Sequence, residues 1–132
     1  MTIELWFVLA AALLGLVHLS AASFAFKAQV GNEYSVGPRD ENLQPAGIAG
    51  RLHRAHQNFL ETYVIFVAFV VIVHLTNAYG PLSFWGAIAY LIGRVLFLPL
   101  YAWGVPWLRT LSWNLATFGL VLVGAQAVIE NL

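Results

Sequence analysis

Apolar residues fill four long stretches of the chain, and polar residues gather in the short segments between them. From Ile3 to Phe26 the only charged side chain is Glu4. A segment from Lys27 to Ala46 follows, rich in Gly, Pro, Asn and acidic residues. The second stretch starts near Gly47. Its first turns are polar (Arg51, His53, Arg54, His56, Asn58, Glu61), and Tyr63 to Leu75 is apolar. Ala78-Tyr79-Gly80-Pro81 reads as a tight turn. The third stretch runs from about Leu82 to Trp103, contains Arg94, and is broken by Gly104-Val105-Pro106. The fourth, roughly Trp107 to Ile129, has Arg109 at its start and no other charge. Each stretch reaches the roughly 20 residues that a membrane-spanning helix needs. The pattern predicts an all-α membrane protein in one domain: a bundle of four transmembrane helices, over 3–26, 47–77, 82–103 and 107–129. Ser20-Ala21-Ala22 has the small residues of a cleavage site, but Met1 to Trp6 carries an acid and no base. The first stretch therefore reads as a span rather than a signal peptide.

Composition supports lipid as the main solvent. The chain is 61% hydrophobic and 9% charged, against roughly 25% charged in soluble domains. It has no cysteine, so disulfides, thiolate catalysis and cysteine metal sites are excluded, and any sulfur chemistry must come from a substrate. The net charge of zero hides an asymmetry. Lys27, Arg39, Arg51 and Arg54 lie in or beside the first loop, and Arg109 at the other loop on the same side. The opposite side, with both termini and the 77–82 turn, has no Lys or Arg. The positive-inside rule predicts both termini outside and both basic loops in the cytoplasm. Trp6, Trp85, Trp103 and Trp107 fall near helix ends, as an aromatic belt does.

Counting depth from the basic face links residues far apart in the chain. His18 is nine residues from Lys27, Glu61 ten from Arg51, Arg94 ten from Gly104 and Asn114 eight from Pro106. These positions lie roughly 12–15 Å deep. Polar side chains at such depth usually face a bundle interior or a wet cavity. Two readings follow. In one, Glu61 and Arg94 form a buried ion pair that fixes packing. In the other, Arg54, Asn58 and Glu61 form one helical stripe that, with Arg94 and Tyr101, lines a crevice open to the cytoplasm, with Arg51, Arg109 and Lys27 on its rim. Guanidinium groups there suit an anionic small molecule, and Glu61 suits an ammonium group on the same ligand. His53 and His56 read as surface residues. His18 and His74 lie at different depths, so no pair of histidines faces across helices to hold haem or a metal.

The run Arg51-Leu-His-Arg54-Ala55-His-Gln-Asn58-Phe-Leu-Glu61 resembles the R-A-x-x-N-x-x-E signature of the MAPEG family, the membrane-associated proteins in eicosanoid and glutathione metabolism. Arg94-Val-Leu-Phe-Leu-Pro-Leu-Tyr101 and Arg109 resemble the family's third-helix R-x(6)-Y and the arginine that opens its fourth helix. The likeness spans the whole chain and is nearest to the short bacterial branch. It implies a homotrimer in the bacterial inner membrane, with glutathione as co-substrate between subunits and a lipophilic second substrate. It further implies that Arg54, Asn58 and Glu61 hold the glutathione backbone, that Arg94 and Tyr101 contact the same ligand, and that Arg109 stabilises the thiolate. A thiolate is the reactive form, and a nearby cation favours it. The sequence departs from the leukotriene-forming members at Thr62, where they carry an aromatic hydroxyl after the glutamate, and at Phe97, where they carry a second tyrosine. The Tyr101-to-Arg109 spacing also differs from relatives by about one residue.

The reading is a membrane-bound glutathione S-transferase or peroxidase acting on lipophilic electrophiles. The rivals are a non-catalytic ligand-binding or scaffold protein on the same fold, and a small proton-coupled exporter. An exporter of that kind usually carries its essential acid in the middle of the first helix, where this chain has only His18.

Overall fold

The computed structural model describes all 132 residues. Four long helices form the bundle: α1 (Ile3–Val30), α3 (Gly47–Thr76), α4 (Pro81–Ala102) and α5 (Pro106–Ile129). A short α2 (Asn32–Val36) lies in the first loop. All four long helices are long and apolar enough to cross a membrane. The expected spans are present, with two differences at the basic end. First, α1 continues past Phe26 to Val30, because nothing in Lys27-Ala28-Gln29 breaks a helix until Gly31, at φ 87°. Second, the loop contains a helical turn and is held by its own side chains. Gln29 accepts from the Ala46 N–H (2.9 Å) and donates to the Gln44 carbonyl (3.0 Å). The Tyr34 hydroxyl accepts from the Leu43 N–H (2.7 Å).

Local chemistry sets the other boundaries. Asn77 takes a left-handed conformation (φ 54°) and the Ala78 N–H returns to the Val73 carbonyl, ending α3. Pro81 and Pro106 open α4 and α5, where the missing N–H has no helical partner to lose. The lone acid of the first span has a defined place: buried Glu4 accepts from Ser83 Oγ (2.8 Å) in the first turn of α4. Gln126 Oε1 accepts from the Leu82 N–H (3.2 Å) at the same helix start.

Only 27 of 132 residues are buried, so most apolar side chains, Leu13, Val64, Leu75 and Val121 among them, point outward. Such a surface fits hydrocarbon rather than water. Lipid tails are as apolar as Leu, so close approach of backbones must hold the helices together. The most extensive contact, α4 on α5, shows this. A Cβ on Gly119 would stand 2.5 Å from the Gly86 carbonyl oxygen, and one on Gly93 would stand 2.6 Å from the Ser112 carbonyl oxygen. Tyr90, stacked on Phe66 at 4.2 Å, anchors the interior with Val70, Ala87, Ala116 and Val123.

Candidate functional site

Arg94 sits in the middle of α4 with no exposed surface. The ion pair expected with Glu61 is not what holds it. Its guanidinium donates to Asn58 Oδ1 (2.8 Å) and to Thr62 Oγ1 (2.5 Å), between the rings of Phe97 (5.2 Å) and Tyr90 (5.8 Å). Helical geometry explains the choice. Asn58 and Thr62 are four residues apart, about 40° round α3, so both reach one partner, whereas Glu61 lies about 60° to the other side of Asn58. Glu61 is exposed on the outer face of α3. The predicted stripe therefore divides at Asn58, with Arg54 and Glu61 outside and Asn58 turned in towards α4.

The expected polar layer divides in the same way. His18 is fully buried, stacked on Phe59 at 4.7 Å, and neither ring nitrogen has a hydrogen-bond partner. Asn114, expected inside, is exposed on α5. Two polar residues of the layer are thus interior, and two lie on the bundle's outer surface at the same depth.

One turn above and nearer the basic end, three arginines converge on the end of α4. Arg54 Nε donates to the Tyr101 hydroxyl (3.2 Å). The Arg109 guanidinium lies over the same ring, 4.7 Å from its centre. Arg51 Nε donates to the Ala102 carbonyl (2.8 Å), one of the unpaired acceptors at the negative end of α4. Arg51 and Arg54 donate to neutral acceptors and Arg109 rests on an aromatic face, so none of the three is bonded to a carboxylate. Below Arg109, a cleft of about 200 Å³ runs between α4 and α5, lined by Phe97, Tyr101, Arg109, Thr110 and Trp113.

Lys27 is not brought to this cluster. It lines a separate cavity of about 460 Å³ between the end of α1, the first loop and α3, with Arg39, His53 and His56. His53, expected at the surface, is exposed; His56 is half-buried and its Nδ1 has no partner. Sequence reasoning missed Thr62 and Tyr90 as companions of Arg94. The signals were available: Thr62 is four residues after Asn58, and Tyr90 four before Arg94, so both pairs share a helix face.

The architecture agrees with the comparison to known families, where the family model described as MAPEG family matches residues 3–129. The chain belongs to the MAPEG family. No curated protein and no solved structure matches it. As a MAPEG member it is a multi-pass membrane protein built as a four-helix bundle, in a family generally associated with glutathione. Within that MAPEG bundle, the two motif arginines do different work. Arg94 is sealed in and donates to Asn58, while Arg54 is exposed.

Proposed function

We propose that this MAPEG protein binds glutathione at the cytoplasmic face of the bacterial inner membrane and acts on lipophilic electrophiles, joining the glutathione sulfur to them as a glutathione S-transferase or reducing lipophilic peroxides as a peroxidase. One observation carries the reading: Arg51, Arg54 and Arg109 converge on the end of α4, at Tyr101 and Ala102, with no carboxylate bound to any of them. Crowded cations without counter-charges favour an anion, and guanidinium forks match carboxylates. Glutathione offers two carboxylates, one ammonium and one thiol.

In this reading Arg54 and Asn58 hold the peptide backbone of the ligand, and Glu61 meets its ammonium group. Arg51 and Tyr101 complete the rim. Arg94 acts through Asn58, which it fixes by a charge-assisted hydrogen bond. Arg109 faces the thiol. The thiol releases its proton to water, and the thiolate left beside the guanidinium forms a sulfur–carbon bond to the electrophile as the leaving group departs with its electron pair.

The exposed Glu61 and Asn114 support a ring of three copies. A charged or amide side chain facing lipid at mid-depth is costly, and a neighbouring bundle relieves that cost. A ring of heterologous contacts also accommodates Lys27, if the face that carries the Lys27–His56 cavity meets the arginines of the next copy. Glutathione would then lie between subunits.

The test is a titration of the purified protein with glutathione, followed by thiolate absorbance and by calorimetry. Saturable binding with thiolate formation supports the proposal. Binding without thiolate favours a non-catalytic ligand-binding protein, a reading supported by Phe97 and Thr62, which leave Tyr101 as the one phenol beside Arg109. No binding removes glutathione from the proposal.

A further inference from the structure

The cleft between α4 and α5 has a polar end and an apolar end, set by helix spacing. Phe97 and Tyr101 are four apart on α4, and Arg109 and Trp113 four apart on α5, so each helix contributes a two-residue wall. Tyr101 and Arg109 stand at the basic end. Phe97 and Trp113 stand one turn, about 6 Å, deeper towards the bilayer. Thr110 adds little polarity, because its hydroxyl donates to the Pro106 carbonyl (2.9 Å). The Phe97 and Tyr101 rings are 5.3 Å apart at 56°, a tilted aromatic wall in the cleft that Trp113 also lines.

Size and wall chemistry both restrict the occupant. The cleft holds about 200 Å³. An apolar cavity of about 150 Å³ accepts benzene, and typical ligand pockets run from about 300 to 1,000 Å³. One substituted ring fills the cleft, whereas most of a long chain would lie outside it. Aromatic walls reward a flat π-system beyond simple burial.

We infer that Trp113, which lines the apolar end of the cleft with Phe97, is the specificity-determining residue for the second substrate and selects compact aryl electrophiles over linear alkyl ones. The inference rests on the proposed glutathione reading and names the substrate class of that same site. With an aryl halide, the thiol first gives its proton to water. The thiolate sulfur then forms a bond to the halogen-bearing ring carbon, and the carbon–halogen bond breaks with the halide taking the electron pair. The negative charge that builds on the ring during addition lies beside Arg109. Trp113 stacks on the ring and acts on which acceptor is held, leaving thiolate formation to Arg109.

The experiment compares wild type, Trp113→Leu and Trp113→Phe on 1-chloro-2,4-dinitrobenzene and on a linear alkenal of nine carbons. Glutathione affinity is measured by calorimetry in each. Wild type should prefer the aryl acceptor in kcat/KM. Trp113→Leu should lower the aryl-to-alkyl ratio by about 2–12-fold, the range of one aromatic pair, with glutathione affinity unchanged. Trp113→Phe should keep most of the preference. Affinities of the unreactive conjugates S-(2,4-dinitrophenyl)glutathione and S-hexylglutathione should show the same change of ratio without any turnover. An unchanged ratio in Trp113→Leu, with glutathione still bound, overturns this inference and leaves the glutathione reading standing. Failure of the wild type to bind glutathione overturns both.

Discussion

Arg109→Ala separates folding from chemistry, and its effects on the two should differ in size. In the structure Arg109 is half-exposed and its guanidinium rests on the Tyr101 ring at 4.7 Å. A cation–π contact at a partly exposed site contributes about 0.5–1 kcal/mol, so removing it should lower stability by no more than about 1 kcal/mol. The effect on a bound thiolate is larger. Two unit charges about 4 Å apart interact by about 4 kcal/mol at an effective dielectric of 20. Water at the rim reduces that figure, and the loss of one preorganised electrostatic partner typically costs about 10–1,000-fold in rate. The same range, about 1.4–4 kcal/mol, corresponds to about 1–3 units in the thiol pKa. The sign is fixed by the chemistry. The cation stabilises the thiolate and lowers the bound thiol pKa, so its removal raises that pKa and moves the rising limb of the pH–rate profile to higher pH. The assay is kcat/KM for an aryl halide across pH, with glutathione affinity measured alongside. Turnover should fall about 10–1,000-fold near neutrality and partly recover in alkali, while affinity changes little because the backbone of the ligand is held elsewhere. Equal turnover in wild type and variant, or a pH profile that does not move, would refute the assignment of the thiolate to Arg109.

Other outcomes follow from the same geometry. Arg54→Ala should weaken glutathione binding about 10-fold or more, since a charge-assisted bond contributes about 1.5–3 kcal/mol; unchanged affinity by calorimetry would remove Arg54 from the site. Arg94→Met should destabilise the bundle by about 1–3 kcal/mol, because it leaves Asn58 and Thr62 without their donor, whereas Glu61→Gln should leave the isolated bundle unaffected; the reverse order of detergent unfolding midpoints would restore the Glu61–Arg94 pair. Gly119→Val places carbon 2.5 Å from the Gly86 carbonyl and 2.6 Å from the Tyr90 nitrogen, and overpacking against backbone costs about 1–3 kcal/mol; wild-type stability in that variant would contradict the close α4–α5 approach. Mass measurement in mild detergent should give three copies, and a monomer that still binds glutathione would exclude an intersubunit site. A C-terminal reporter that is active only in the cytoplasm should be silent, because the basic loops lie on the other side.

The sequence by itself determined the four long helices, most of their ends and their solvent. Stretches near 20 apolar residues permit few other structures in lipid, where backbone groups must pair within their own helix. Pro81, Pro106 and Asn77 mark boundaries through local backbone chemistry that needs no tertiary contact. The depth of Arg94 and Glu61 was also legible, because rise per residue is constant. Facing was not. Whether Asn58 or Glu61 meets Arg94 turns on about 60° of rotation of α3 against α4, and that rotation is set by packing: Gly93 against Ser112, Gly119 against Gly86, and Tyr90 stacked on Phe66. Depth alone grouped His18, Glu61, Arg94 and Asn114, while the packed helices turned Glu61 and Asn114 outward. Lys27 went to the Arg39–His56 cavity instead of the arginine cluster because α1 runs on to Val30 and its end lies against the first loop and the start of α3, away from the end of α4. Distance along an axis is a property of the chain, whereas direction around it belongs to the helices packed together.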